Sequence, residues 1–476
     1  MNALLAALAV IIGAAVALTV AGGAGAVLLC AGCALVAGLV IASVKEQREF
    51  LLQLFVAGLL VRVLVGTLIY VLSLQEFFGG DAITYDNYGN ALRHSWWGDA
   101  EATSFAGEWG QIGGGWGMLY LVAGIYTILG RNMLAVQFFN AVIGAATAPV
   151  IFLCARHIFR NLRVAQLAAF SVALYPSLVL WSSQGLKDGP IVFLLALIML
   201  ATLELGERVN LKYVLVILLS LLAVLSLRFY VFYMALMAVV GAFLVGMRPQ
   251  GAQGLARQLA IILALGLGLT YFGVLRTASQ QVETFGNLQA VQRSRSDLAQ
   301  SASSGFGQDV DVSTTGGALT AIPVGMVYLL FAPFPWQVAN LRQSITIPEM
   351  VIWWASFPLL VLGVWFTIKH RFRQALPILI FTTMLTLAYS VFQGNVGTAY
   401  RQRSQILVFY FIFVAVGGVL LKERREDRQR EGLARKQAAV ESWRAREARR
   451  RYARWKGEQE PELENMARDI SERINF

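Results

Sequence analysis

Apolar runs recur along this chain as far as Leu421, separated by short polar or basic turns, and most approach the ~20 residues a helix needs to cross a bilayer. They predict spans over residues 3–20, 24–43, 50–72, 133–155, 164–182, 189–205, 213–227, 230–247, 258–275, 350–368, 375–391 and 404–421. The expected fold is therefore an all-α polytopic membrane bundle of about 12 transmembrane helices, since only helices or closed barrels satisfy their backbone in lipid. Residues 116–130 are apolar but short, and they read as a re-entrant or interfacial helix rather than a span.

Basic residues orient these spans. Lys45 with Arg48, Arg156 with Arg160 and Arg163, Arg208 with Lys212, Arg248 with Arg257, and residues 369–373 share one side if 116–130 does not cross. That side reads as the cytoplasm, with both termini in it. The outer face then carries a large first loop at 73–132 with short interfacial helices, and further segments at 182–189, 276–349 and 393–403. Within 276–349 the amphipathic stretch AIPVGMVYLLFAPFPW must lie at the interface or against protein. The expected division is two N-terminal helices in 1–49, a core in 50–421 and a basic helical tail in 422–476.

Composition sharpens this picture in two places. Hydrophobic residues make up 57% of the chain and charged ones only 14%, which sets aside a soluble enzyme. The net charge of +11 comes largely from the tail, whose mixture of Arg, Lys, Glu and Ala reads as a solvated helix that contacts lipid headgroups rather than nucleic acid. The opening run lacks a basic n-region, so it reads as a retained helix and not a cleaved signal. Cys30, Cys33 and Cys154 all fall within expected helices, giving no disulfide framework, and no P-loop or Rossmann fingerprint occurs.

Chemistry concentrates in the first outer loop. GGDAITYDNYGNALRHSWWG follows directly on the third span and places Asp81 and Asp86 above the bilayer surface. Asp81 is the candidate general base, against the alternative that it caps the helix beginning near Ile83. Tyr85, four residues on, is placed to orient Asp81 or a substrate, or simply packs; Asp86 is a weaker candidate. Lys187, Arg228, Arg401 and Arg403 lie at expected outer helix ends, where they converge as an anion clamp or merely snorkel. Lys187 has a third option, pairing with Asp188.

Arg62 sits about 18 Å into the third span, at 1.5 Å per residue. No acid lies at similar depth, so its expected partner is water or a lipid phosphate, with a structural role as the equal alternative. Trp96, Trp97, Trp109, Trp116 and Trp336 read as an interfacial belt, and the glycines at 113–115 and 305–307 as mobile loops.

The order of GGDAITYDNYGNAL, WGMLYLVAGIYTILGRN, MLAVQFFNAVIGAATAPVIFLCARHIF and YPSLVLWSSQGLKD resembles the membrane glycosyltransferases of the C superfamily (GT-C). The branch it resembles contains the protein O-mannosyltransferases and the lipid A aminoarabinose transferases. FAPFPW and GNVGTAYRQR are similar to segments of uncharacterised bacterial members. The chain departs from the pattern in its two extra N-terminal helices and in Asp81-Ala82, where the family carries an Asp-Glu pair.

That resemblance implies a GT-C-like fold in a bacterial inner membrane and transfer of a sugar from a polyprenyl phosphate or diphosphate to an extracytoplasmic acceptor: a glycan, lipid or protein. Asp81 would act as base in an inverting displacement. No nucleotide or redox cofactor is implied. Asp81, Asp86 and Asp188 are the carboxylates that could supply ligands to Mg²⁺ or Mn²⁺, if the fold brings them together. A flippase for lipid-linked sugars would need the cations but not Asp81 as a base, and a polysaccharide polymerase or ligase would use a related donor.

Overall fold

The computed structural model describes residues 3–112, 115–246, 251–274, 281, 286–300, 304–307, 310–338 and 340–474. Among these the only extended pairing is an isolated bridge between Gly305 and Asn395; the rest is helix and turn. The chain forms two units, 1–417 and 418–476.

Seven helices of the described residues are long and apolar enough to cross a membrane: Gly23–Ala42, Arg48–Val71, Met133–Phe159, Asp188–Glu207, Ile347–His370, Phe372–Phe392 and the start of Ser404–Ile474. An eighth crossing arises if Leu162–Leu174 and Pro176–Ser182, bent by 53° at Tyr175, are taken together. The bend has a local cause, since Pro176 can neither donate an N–H nor leave Tyr175 helical.

The expected spans at 3–20, 213–227, 230–247 and 258–275 are present as shorter apolar helices; Met247 and Leu275 themselves lie outside the described residues. The helix Gly117–Leu129 has 13 residues, too few for the hydrocarbon core, and packs on Asp81–Ser95. The described part of the 276–349 segment is largely helical. It contains Leu288–Gln300 and a second apolar helix, Thr315–Phe331, which packs on Phe372–Phe392.

Met133–Phe159 is the hub of the large unit. It is buried along most of its length and packs against Gly23–Ala42, Arg48–Val71, Leu162–Leu174 and Asp188–Glu207. At one end of this group Arg156 pairs with Glu46 at 2.7 Å, and His157 lies 3.5 Å from both Glu204 and Glu207. Asp188 starts the helix that Glu204 and Glu207 end, so the candidate site lies at the opposite end from these basic clusters.

Three buried arginines seal helix C-termini, whose last carbonyls lack intrahelical partners. Arg62 donates to Ala173 O at 2.7 Å and to Ser182 Oγ at 2.8 Å across the bend at Tyr175, and to Gly58 O at 3.0 Å. Its partners are backbone carbonyls and a hydroxyl, in place of the expected water or lipid phosphate. Arg295 binds Val391 O and Gln393 O at the end of Phe372–Phe392. Arg403 binds Leu330 O and Ala332 O at the end of Thr315–Phe331.

The unit 418–476 is the exposed remainder of the Ser404–Ile474 helix, rich in arginine. Cys30, Cys33 and Cys154 are free thiols within helices.

Candidate active site

Asp81 is the first residue of the Asp81–Ser95 helix, not its cap. Gly80 holds the capping position at φ 71°, a left-handed conformation that favours glycine, and frees the Asp81 side chain for other partners. The carboxylate accepts from Arg401 Nη1 at 2.5 Å and is 45% exposed, so it stays reachable from outside.

Lys187 and Asp188 sit where the turn at 183–187 enters the Asp188–Glu207 helix. Asn140 of the central helix fixes that turn by donating to both Gln184 O and Leu186 O at 2.7 Å. Asp188 is fully buried. Arg401 Nε donates to its Oδ2 at 2.6 Å, and Arg228 Nη2 approaches its Oδ1 at 3.3 Å. Arg228 occupies the extended break between Leu211–Leu227 and Phe229–Gly241, with its guanidinium buried beside Asp188 and Tyr389.

Arg401 lies on the short helix Val396–Gln402. Asn395 caps that helix by accepting from Gly397 N at 2.8 Å, and the bridge to Gly305 pins it. Gly305 is required there, since a Cβ would fall 1.9 Å from Ala299 O; it is a point of close packing rather than a mobile loop. Gly113 and Gly114, the other expected mobile stretch, lie outside the described residues.

Asp81, Lys187, Arg228 and Arg401 line one cavity of about 1140 Å³, together with Trp181 and Tyr400, while Asp188 is buried behind Arg228 and Arg401. The Lys187 ammonium lies 6.0 Å from the Tyr85 ring centroid and makes no ion pair with Asp188. Burial, then repulsion from Arg228, lowers the Lys187 pKa to about 8. Burial opposes the charge on Arg401 too, but Asp188 and then Asp81 outweigh it and raise its pKa.

Two candidates lie elsewhere. Asp86 is buried between Arg131 and the Tyr126 hydroxyl, where it ties the Asp81–Ser95 helix to the start of the next long helix. It points away from Asp81 because five residues advance a helix by about 500°, or 140° net. Arg403 is fully buried and its guanidinium is committed to Leu330 O, Ala332 O and the Met350 sulfur, so the expected anion clamp loses that member. The three candidate metal ligands are not assembled: Asp86 is apart, Asp81 and Asp188 are joined through Arg401, and no cluster of three ligating side chains occurs among the described residues.

Sequence reasoning missed Trp181 and Glu349. Arg401 stacks 5.8 Å above the Trp181 ring, and Glu349 accepts from the Tyr400 hydroxyl at 2.7 Å. Glu349 had a signal, as an acid entering an apolar run; Trp181 had none beyond its proximity to Lys187.

The family of dolichyl-phosphate-mannose-protein mannosyltransferases matches residues 116–275. The chain is similar to the membrane glycosyltransferases of the C superfamily. The matched segment includes Lys187, Asp188 and Arg228 but neither Asp81 nor Arg401. The solved apo structure of the Archaeoglobus fulgidus oligosaccharyltransferase is also similar, at 13% identity and a TM-score of 0.41, over 79% of this chain and 52% of that one. The chain thus spans about half the length of that structure. No curated protein matches it.

Proposed function

We propose that the chain is a glycosyltransferase that takes a sugar from a polyprenyl phosphate or diphosphate and passes it to an acceptor hydroxyl on the extracytoplasmic face of the inner membrane. The observation that carries the reading is the set of Asp81, Lys187, Arg228 and Arg401 in the wall of one cavity, with Arg401 and Arg228 joined behind it through buried Asp188.

In this reading Asp81 removes the acceptor proton as the new C–O bond forms at the anomeric carbon and the bond to the phosphate oxygen breaks, with inversion. A positioned carboxylate contributes about 10²- to 10⁴-fold to such a step. Arg228 and Lys187 receive the charge that builds on the departing phosphate, in a site where burial strengthens each interaction. Lys187, Arg228 and Arg401 oppose only Asp81 and Asp188, so the cluster keeps a positive excess for an anionic donor. The apolar wall of Leu222, Leu225, Leu227 and Phe272 suits an isoprenoid chain. Arg401 orients both carboxylates, and Tyr85 supports Lys187.

The basic clusters at the opposite end of the bundle would face the cytoplasm, with both termini, and the basic tail would meet anionic headgroups there. The test is reconstitution. Purified protein, given the lipid extract of cells deleted for it, should release polyprenyl phosphate or diphosphate and form a glycosylated product, and Asp81→Asn should lower that rate by about 10²-fold or more. Release by Asp81→Asn at the wild-type rate would remove Asp81 from the chemistry.

A further inference from the structure

Glu349 is a buried carboxylate at the start of the Ile347–His370 helix that the reaction above does not use. Its Oε2 accepts from the Tyr400 hydroxyl at 2.7 Å. Tyr400 precedes Arg401 on the short Val396–Gln402 helix and lines the same cavity. The Tyr400 ring meets Trp181 edge-on, with centroids 6.2 Å apart, and the Arg401 guanidinium lies 5.8 Å over that same Trp181. On the far side Arg403 sits 5.0 Å from the Tyr400 centroid and is itself fixed to Leu330 O and Ala332 O.

Arg401 has a demanding placement. It must reach Asp188, which is fully buried, and Asp81, which is half exposed, from a helix of seven residues. So short a helix has little cooperative stability of its own. Its geometry has to be imposed from outside, and the groups that impose it on the Arg401 side are Trp181, Tyr400 and Glu349.

We propose that Glu349 and Tyr400 are positioning residues for Arg401: the carboxylate holds the phenol, the phenol braces Trp181, and Trp181 sets the plane in which Arg401 grips Asp81 and Asp188. The proposal rests on the glycosyltransferase reading. It assigns a function to a buried acid that would otherwise be only a desolvation cost.

The experiment is a double-mutant cycle on the reconstituted full-length protein, with the lipid extract of deletion cells as donor and rates expressed per folded molecule. Tyr400→Phe removes one hydrogen bond to a charged group and should lower kcat by about tenfold. In an Arg401→Lys background the same change should cost less than about twofold, because the group being positioned has gone. Glu349→Gln, which retains an acceptor for the phenol, should stay closer to wild type than Glu349→Leu. An equal effect of Tyr400→Phe in both backgrounds would show a purely structural residue and overturn the inference while leaving the proposed function intact. Failure of wild-type protein to consume any lipid-linked sugar would overturn the proposed function, and the inference with it.

Discussion

The Arg401 Nε lies 2.6 Å from Oδ2 of Asp188, 213 residues away in sequence, and this contact joins the start of the Asp188–Glu207 helix to the short Val396–Gln402 helix. Asp188 has no exposure, and its other oxygen meets Arg228. Such a carboxylate stabilises only while both guanidinium groups remain paired to it.

Asp188→Asn therefore leaves two buried cations short of a counter-charge. Breaking one partner of a buried pair costs about 3–5 kcal/mol, so a fall of that order in unfolding free energy is expected, together with loss of donor turnover in the fraction that folds. Thermal unfolding in detergent and turnover per folded molecule check the two parts separately.

Lys187 gives a pH dependence. Its pKa is lowered to about 8, so the ammonium is mostly charged at pH 7 and is lost as pH rises through that value. The account expects kcat/KM for the lipid donor to fall on the alkaline side near pH 8. Lys187→Arg, always charged, should abolish that limb below pH 9. A pH–rate profile of the two proteins measures it.

Arg62 should be a residue of stability and not of turnover. Arg62→Leu leaves Ala173 O and Ser182 Oγ without their donor at the bend, at about 1–3 kcal/mol for each buried group left unsatisfied. The expected outcome is a lowered melting temperature with donor KM unchanged among folded molecules.

Orientation is open to cysteine labelling after Cys30, Cys33 and Cys154 are replaced. A cysteine at the exposed position of Ser344 should react with an impermeant reagent from outside, and one at exposed Arg160 should not. The reverse pattern would place the cavity in the cytoplasm.

How much of this was legible in the sequence follows from what each feature depends on. Span identity depends on local composition, and the helices at 24–43, 50–72, 133–155 and 375–391 were readable from it. The bend at Tyr175 and the helix Thr315–Phe331 depend on Pro176 and on packing against Phe372–Phe392, which hydropathy averages away. Asp81 and Asp86 look alike in sequence and are separated only by helical phase. Arg401 and Arg403 are two residues apart, which turns them about 200° from each other, one toward the carboxylates and one into carbonyls. Most partners of Arg62 and Arg403 are backbone carbonyls, and no pattern of side chains can reveal those.

The most direct test of the central claim is mass spectrometry of polyprenyl-linked sugars in cells carrying wild type, a deletion or Asp81→Asn at equal protein level, with the leaflet of each pool probed. The account predicts that both mutants accumulate the same lipid-linked sugar on the outer leaflet. Accumulation on the inner leaflet in the deletion, with Asp81→Asn behaving as wild type, would contradict it and make the protein a flippase.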